Sequence, residues 1–244
     1  MLFSRKKKPT IGVLYICTGK YDIYWQQFYE SSERFFCPGL EKHYYIFTDS
    51  TTIKSSERIT VIYQQRLGWP YDTLMRFHLF VRERHLYEHH DFLFFLNANM
   101  QFVRKIRPSQ ILPSDKEKLV AVIHPYYYES PVGAPFESNQ QSLAYADPAK
   151  ARHYVQGCLN GGITADYLHM SEVLAKRIDD DQKNGVIAVW HDESHLNAYL
   201  VTHPEYKALD AGYAKPEGRA GFPFKERVVI LNKNNQGGLA FLRS

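Results

Sequence analysis

Two asparagines follow an apolar run near the middle of the chain, at a position where α/β enzymes often bind their ligand. Residues 92–96 have the composition of a buried strand, and Asn97 and Asn99 come directly after it. On an extended chain these two side chains point the same way. Amide oxygens are weak ligands for a hard divalent cation, but they can hydrogen-bond ribose or phosphate oxygens. A ligand-free asparagine turn is the alternative interpretation.

Two acids at the start of a predicted helix form the second candidate group. Asp192 and Glu193 follow Trp190 and His191, and the helix is expected to run to about Thr202. A carboxylate beside an aromatic wall suits chemistry at an anomeric carbon, as nucleophile or as stabiliser of an oxocarbenium-like centre. The plainer alternative is that Asp192 only caps the helix.

Further candidates are a histidine and three cations. His124 ends a predicted strand and is interpreted either as a ligand for sugar hydroxyls or as a structural histidine. Arg76 lies among apolar helical positions, so its charge needs a carboxylate or phosphate partner. Lys233 and Arg243 lie in the tail, where they either neutralise a diphosphate or remain surface charges.

Alternating strand and helix patterns predict one α/β domain with a mostly parallel central sheet. Residues 125–150 lack periodicity and are expected to form a long binding loop. Asn160-Gly161-Gly162 is predicted to be a turn, residues 186–190 a short strand, and the tail after Tyr206 irregular. The other predicted elements are strands at 11–17, 43–48, 59–63, 92–96 and 119–124 and helices at 21–36, 71–88, 165–183 and 192–202.

Composition limits the classes of function. The 244 residues carry a formal charge of +4, which equals the charge of the basic tip formed by Arg5, Lys6, Lys7 and Lys8. The remaining chain is formally neutral, which argues against a nucleic-acid partner. The basic tip is either solvated or in weak contact with anionic lipid headgroups.

The cysteines and the hydropathy pattern bear on location. Three cysteines (Cys17, Cys37 and Cys158) form neither an even set nor a metal-binding spacing, which favours free thiols in a reducing compartment. No apolar run approaches the roughly 20 residues of a membrane span. We therefore predict a cytoplasmic protein, with peripheral contact at the inner membrane face as the open alternative.

Several motifs between Ile11 and Gln236 together resemble glycosyltransferase family 6, the family of the histo-blood-group A and B transferases and the α-1,3-galactosyltransferase. The most specific of them begins at Trp190, and Asn97-Ala98-Asn99 resembles the bacterial branch of the family. The motifs are Tyr44-Tyr45-Ile46-Phe47-Thr48-Asp49, His124-Pro125, Asn160-Gly161-Gly162 and Trp190-His191-Asp192-Glu193-Ser194-His195-Leu196-Asn197.

This resemblance implies a GT-A fold, a single Rossmann-like domain over residues 10–244 behind a basic flexible N-terminus at residues 1–9. Residues 206–244 would close over the donor. The implied reaction moves galactose or N-acetylgalactosamine from UDP-Gal or UDP-GalNAc, in α-1,3 linkage and with retention, to a terminal galactose. The acceptor would be a fucosylated, H-antigen-like oligosaccharide or lipid-linked glycan, as in a bacterial surface polymer.

The resemblance also implies roles for individual residues. Tyr21 would pack near the uracil, and Lys233 and Arg243 would neutralise the UDP leaving group. Glu193 would be the catalytic residue, either as nucleophile or as ion-pair stabiliser, and would also lie against the acceptor. The remaining implied ligands are Arg76, Asn97, Asn99, Cys158 and Asp192 for the donor and His124 and Trp190 for the acceptor.

Two departures from the family pattern qualify these roles. Asn97 and Asn99 replace the usual metal-binding aspartates, so we expect transfer without metal or any other cofactor. Cys158 stands where family members carry glycine or alanine, and its size favours galactose over N-acetylgalactosamine without excluding the latter. Because the usual catalytic signature is altered, a catalytically inactive glycan- or nucleotide-sugar-binding module is the alternative function.

Overall fold

A seven-stranded sheet forms the centre of the molecule in the computed structural model, which describes residues 8–243. The strands of this sheet are β1 (Thr10–Ile16), β2 (Glu41–Thr48), β3 (Ile59–Tyr63), β4 (Phe92–Leu96), β6 (Leu119–Ile123), β7 (Val155–Ile163) and β8 (Tyr206–Leu209). Their order is β3-β2-β1-β4-β7-β6-β8, and only β7 runs antiparallel to its neighbours. The predicted α/β class with a mostly parallel sheet is confirmed.

A smaller sheet joins the middle of the chain to its tail. It consists of β5 (Met100–Phe102), β9 (Lys215–Pro216) and β10 (Val228–Ile230), in the order β5-β10-β9. β10 is antiparallel to β5, so the segment that directly follows Asn99 is paired with the segment that precedes Lys233.

Helices cover both faces of the large sheet. The α-helices are α1 (Trp25–Phe35), α2 (Tyr71–Leu74), α3 (Arg76–Arg82), α4 (Pro108–Ile111), α5 (Thr164–Lys183), α6 (Asp192–Thr202) and α7 (Gly238–Leu242). Short 3-10 helices occupy Gly19–Tyr24, Arg84–Leu86, Pro148–Lys150, Ala211–Tyr213 and Lys233–Gln236. The prediction of one continuous helix over 71–88 is wrong, because the backbone leaves α geometry at Met75 and again at Glu83.

Alternate residues of β1 enter two separate cores, as its uninterrupted apolar sequence requires. Val13 and Tyr15 pack on one face with Trp25 and Phe28 of α1. Leu14 packs on the opposite face, in the cluster that includes residues of α3, α5 and α6. A strand buried on both faces is held in place by packing, so the ends of such strands are rigid positions for a site.

The glycines predicted to form a turn lie inside β7, so that prediction is wrong. A β-carbon on Gly161 would lie 2.4 Å from the carbonyl oxygen of Leu93, and one on Gly162 would lie 2.6 Å from that of Lys118. The glycines therefore permit close approach of the neighbouring chain segments on both sides of β7.

Two other predictions of local structure are also wrong. Residues 186–190 form no strand: the Val186 amide donates to the carbonyl oxygen of Asp181 where α5 ends, and residues 189 and 190 form a turn. The tail after Tyr206 is ordered into three strands, two 3-10 helices and α7. Each tail strand has only two to four residues, and its stability comes from pairing with distant segments that a local pattern does not reveal.

The basic tip lies largely outside the described residues. Arg5, Lys6 and Lys7 fall there, while Lys8 is described and its Nζ donates to the carbonyl oxygen of Gly39 at 3.2 Å. Between residues 8 and 243, no helix is both long enough and apolar enough to cross a membrane. The domain limits and the closing of residues 206–244 over a donor stay predictions.

Candidate active site

Two adjoining cavities lie beyond the carboxyl ends of β1 and β4, where open α/β sheets bind their ligands. The first has a volume of about 150 Å³ and is lined by residues that follow both strands, such as Thr18 and Ala98. The second has a volume of about 180 Å³ and is lined mainly from β7 and the start of α6. The side chains that line both cavities are Trp69, Thr73, Arg76 and Asn97.

The first cavity is strongly cationic. Its charged lining comprises four cations and one acid, namely Arg66, Arg76, Lys233, Arg243 and Asp72. Tyr21 supplies an aromatic wall, and Lys233 Nζ lies 5.2 Å from the centroid of its ring. Such an arrangement favours an anion with an aromatic group attached, because the excess positive charge attracts the anion and the ring packs against the flat group.

Glu193 lines the second cavity and has both carboxylate oxygens fixed. Oε1 accepts a hydrogen bond from the Tyr154 hydroxyl at 2.8 Å, and Oε2 accepts one from the Gly157 amide at 2.8 Å. Burial raises the pKa of Glu193 to about 7, although these two hydrogen bonds oppose the rise. The site therefore holds an oriented carboxylate that ionises close to neutral pH.

Arg76 and Asp192 form a buried ion pair between the two cavities. The Arg76 Nη1 atom lies 2.7 Å from Asp192 Oδ2 and also donates to the Gly157 carbonyl oxygen at 2.8 Å. The Arg76 guanidinium lies 4.1 Å from the centroid of the Phe95 ring. Burial raises the pKa of Asp192 to about 6, and the charge of Arg76 acts against that rise. The apolar surroundings of Arg76 required such a partner.

The beginning of α6 differs from the expected capping arrangement. His191, not Asp192, is the N-cap residue, and it has a φ of 53° that is unusual for a non-glycine residue. Asp192 is the first helical residue, and its side chain pairs with Arg76. Backbone strain at His191 thus accompanies the turn that directs Asp192 and Glu193 into the site.

The two asparagine side chains bind each other, and only that of Asn97 lines the cavities. Asn97 lines both cavities, and its Nδ2 donates to Asn99 Oδ1 at 2.9 Å. Asn99 is only 2% exposed and lines neither cavity, and its Nδ2 donates to the Leu231 carbonyl oxygen at 2.8 Å. The extended backbone expected at residues 97–99 is replaced by a turn, in which the Met100 amide donates to the Asn97 carbonyl oxygen.

The donor set does not fit a divalent metal. The side-chain oxygen of Asn99 already accepts the bond from Asn97. The acid of the first cavity, Asp72, directs Oδ1 to the amides of Leu67 and Gly68. Among residues 8–243, no group of three or more His, Cys, Asp or Glu side chains is arranged to hold a metal ion. Hard divalent cations prefer carboxylate oxygens, and even a Mg²⁺ ion shared with substrate phosphates is usually held by one or two of them.

The remaining predicted residues divide between the cavity wall and the layer behind it. Cys158 and Trp190 line the second cavity. His124 lines neither cavity; its ring lies 5.6 Å from that of Tyr154, which in turn holds Glu193. Burial lowers the pKa of His124 to about 4, and Arg219 acts in the same direction, so the imidazole is neutral at pH 7.

Several site residues were not predicted from the sequence. Trp69 lines both cavities, with the Arg243 guanidinium 4.2 Å from its ring centroid and the His191 ring 4.6 Å away. The Gly68-Trp69-Pro70 turn is a local signal that marks this residue. Arg66 was also missed, and His191 was noted only as part of the motif that begins at Trp190. No local signal marks Tyr154 or Gly157, because Glu193, to which both donate, is distant in sequence.

Known proteins resemble this chain in sequence along most of its length. The sequence model of Glycosyltransferase family 6 matches residues 2–236. The O-antigen biosynthesis glycosyltransferase WbnI of Escherichia coli is 37% identical over 229 residues, which are 93% of this chain and 96% of that protein. The Histo-blood group ABO system transferase 2 of Rattus norvegicus is 30% identical, over 95% of this chain and 72% of that protein. The Globoside alpha-1,3-N-acetylgalactosaminyltransferase 1 of Gallus gallus is 29% identical, over 93% and 68% respectively.

Proposed function

The chain belongs to glycosyltransferase family 6, and we propose that it transfers galactose or N-acetylgalactosamine from a UDP-sugar, without a metal, to a terminal galactose in α-1,3 linkage. The proposed reaction retains the anomeric configuration, and the proposed acceptor is a fucosylated, H-antigen-like glycan. The names of two relatives support this proposal: one names O-antigen biosynthesis, and the other names an alpha-1,3-N-acetylgalactosaminyltransferase. The mixed sheet suits the GT-A-like fold of this family.

The observation that carries the proposal is the position of Glu193. Its carboxylate is fixed in the second cavity, which shares a wall with the cationic first cavity. A nucleotide sugar with its diphosphate in the first cavity and its sugar in the second places the anomeric carbon in the second cavity, next to that shared wall. There Glu193 serves either as nucleophile or as the negative charge that stabilises an oxocarbenium-like centre.

The remaining roles follow from the linings of the two cavities. We propose that Tyr21 packs against the uracil and that Lys233, Arg243 and Arg66 face the diphosphate. These cations would offset the charge that builds on the leaving group, as preorganised electrostatics do in other enzymes.

We propose that the sugar and the acceptor meet in the second cavity. Asp192 would bind donor-sugar hydroxyls, and Cys158 would lie near the sugar's C2 substituent. Trp190, which is 47% exposed, would pack against the acceptor. His124 lines neither cavity, and its contact with the acceptor stays a prediction.

Transfer should persist when divalent metals are removed. The test supplies UDP-Gal and UDP-GalNAc separately, with a Fucα1-2Gal-terminated oligosaccharide and EDTA throughout. We expect product from UDP-Gal in preference to UDP-GalNAc, because the Cys158 side chain narrows the cavity. Loss of product with EDTA and its recovery with manganese would contradict the metal-free reaction. UDP binding without product from any galactose-terminated acceptor would favour a binding module.

The rate of transfer should fall as the pH drops through about 7, the raised pKa of Glu193. A carboxyl group with a raised pKa is protonated below that value, and only its ionised form can act as nucleophile or stabilise a cation. The measurement is kcat/KM for transfer between pH 5.5 and pH 8.5. The residual transfer of a Glu193→Gln variant should lack this inflection; an unchanged profile would assign it to another group.

A further inference from the structure

We propose that Asn99 is a positioning residue that fastens the tail of the chain and so places Lys233 beside the first cavity. The inference concerns the tail segment, residues 231–236, and the contribution that one buried amide makes to its position. It rests on the proposed function for the role of Lys233 toward a diphosphate, whereas the fastening itself follows from the contacts alone.

Asn99 binds both backbone polar groups of Leu231. The Leu231 amide donates to the Asn99 carbonyl oxygen at 2.8 Å, and the Asn99 side-chain Nδ2 donates to the Leu231 carbonyl oxygen at 2.8 Å. Asn99 is 2% exposed, so water does not compete for these bonds. One residue therefore sets the position of the Leu231 backbone.

This contact extends an existing pair of strands. Met100 in β5 pairs with Ile230 in β10, and Asn99 and Leu231 come next in the same antiparallel register. The side-chain bond of Asn99 supplies a second link at the point where regular pairing ends. Beyond this pair the tail segment also binds Glu217, whose Oε2 accepts from the Asn232 amide at 2.7 Å and from Asn235 Nδ2 at 3.1 Å. Asn99 therefore fixes the tail on the side of β5, and Glu217 fixes it on the side of β9.

Lys233 lies two residues after Leu231, so the position of the Leu231 backbone limits where Lys233 can lie. Asn232 caps the short helix Lys233–Gln236 through its side chain, which accepts from the Asn234 amide at 3.0 Å. Lys233 Nζ then lies 5.2 Å from the ring centroid of Tyr21, at the first cavity. The bonds to Leu231 and the short helix that follows it thus connect Asn99 to Lys233.

An aspartate at position 99 cannot make the same set of bonds. Asn99 donates to Leu231 and at the same time accepts from Asn97 Nδ2 at 2.9 Å. An ionised carboxylate has no hydrogen to donate, and its second oxygen would face the Leu231 carbonyl oxygen at a buried position. In the Asn97-Ala98-Asn99 segment, the side-chain amide of Asn99 thus also binds the tail of the chain.

The test compares Asn99→Asp with the unaltered protein by calorimetric titration with UDP and, separately, with uridine. We expect the affinity for UDP to fall roughly 10- to 100-fold. The Leu231 carbonyl oxygen loses its hydrogen-bond donor, and Lys233 is then no longer held beside the first cavity. Uridine lacks the diphosphate, so its affinity should change by about threefold or less. Lowering the pH to protonate the introduced carboxylate should restore part of the loss, since a protonated carboxyl can donate to Leu231. Asn184→Asp, which adds the same charge at an exposed position after α5, is the matched control.

Two results would overturn the inference. One is an Asn99→Asp protein that binds UDP as tightly as the control. The other is a folded variant that loses uridine and UDP affinity equally. Should Asn99→Asp not fold, Asn99→Ala removes both side-chain bonds without adding charge, and the same comparison of ligands applies.

Trypsin cleavage after Lys233 tests the fastening without any ligand. The Asn99 variants should be cut there faster than the control, while cleavage after Lys183 stays unchanged. If the unaltered protein did not bind UDP, the proposed function would fail, but the cleavage rates would still decide whether Asn99 holds the tail. Equal rates in variant and control would refute the fastening.

Discussion

Replacing Glu193 with glutamine is expected to lower kcat for transfer by roughly 1,000-fold or more, while the Kd for UDP changes by about twofold or less. Glutamine has nearly the same shape as glutamate but carries no charge. It can neither attack the anomeric carbon nor stabilise a positive charge there. UDP is expected to bind in the first cavity, and Glu193 lines only the second.

The size of this effect depends on how strongly the site holds the carboxylate. Tyr154 and Gly157 both donate hydrogen bonds to Glu193, so the protein has arranged two donors to face a negative charge. A glutamine amide nitrogen would face one of these donors and lose that bond. The measurement is a single-turnover rate with saturating donor and acceptor, together with UDP titration.

Glu205→Gln is a matched control for this substitution. Glu205 is exposed and immediately precedes β8, so the same chemical change there should leave both transfer and UDP binding near their original values. If Glu193→Gln retained near-normal transfer, neither the nucleophile nor the ion-pair role would survive. A parallel loss of UDP binding would instead show that the variant has disturbed the first cavity.

The sequence was sufficient to locate the buried strands because their signal is local. The predicted limits of β3 and β4 agree with the structure residue for residue, since each is a short apolar run flanked by polar residues. The sequence did not reveal the C-terminal part of β7, because glycines such as Gly161 and Gly162 occur both in turns and where strands approach closely. The choice between them depends on Leu93 and Lys118, which lie far away in sequence.

The same distinction applies to the candidate site. Asp192 and Glu193 stood out because two acids begin a helix, and Arg76 because it interrupts an apolar face. The groups that bind Glu193 could not be recognised in this way. Tyr154 and Gly157 precede Glu193 by 39 and 36 residues and contact it only when β7 packs against α6. The orientation of Asn99 likewise depends on a turn and on the distant tail.

Replacing Arg76 with methionine is expected to lower the free energy of unfolding by about 3–5 kcal/mol and to abolish measurable transfer. Methionine occupies similar space but leaves the Asp192 carboxylate buried without its cation, and both members of the pair are less than 10% exposed. The measurement is urea unfolding at pH 7. The deficit should shrink as the pH falls from 7 towards about 6 and stay constant below that. The pKa of Asp192 is about 6 beside Arg76 and higher without it, so the carboxyl of the variant is protonated first and loses its charge penalty.

A double variant separates the charge from the packing at this position. Arg76→Met combined with Asp192→Asn removes both charges, so much of the lost stability should return while transfer stays absent. Arg84→Met breaks an exposed ion pair with Glu172 and, as a control, should lower stability by about 1 kcal/mol or less. If Arg76→Met alone were as stable as the unaltered protein, the buried ion pair would contribute nothing to the stability of the fold. If instead the double variant recovered stability and transfer together, Arg76 and Asp192 would serve only the fold, and the chemistry would rest on Glu193 and the tail cations alone.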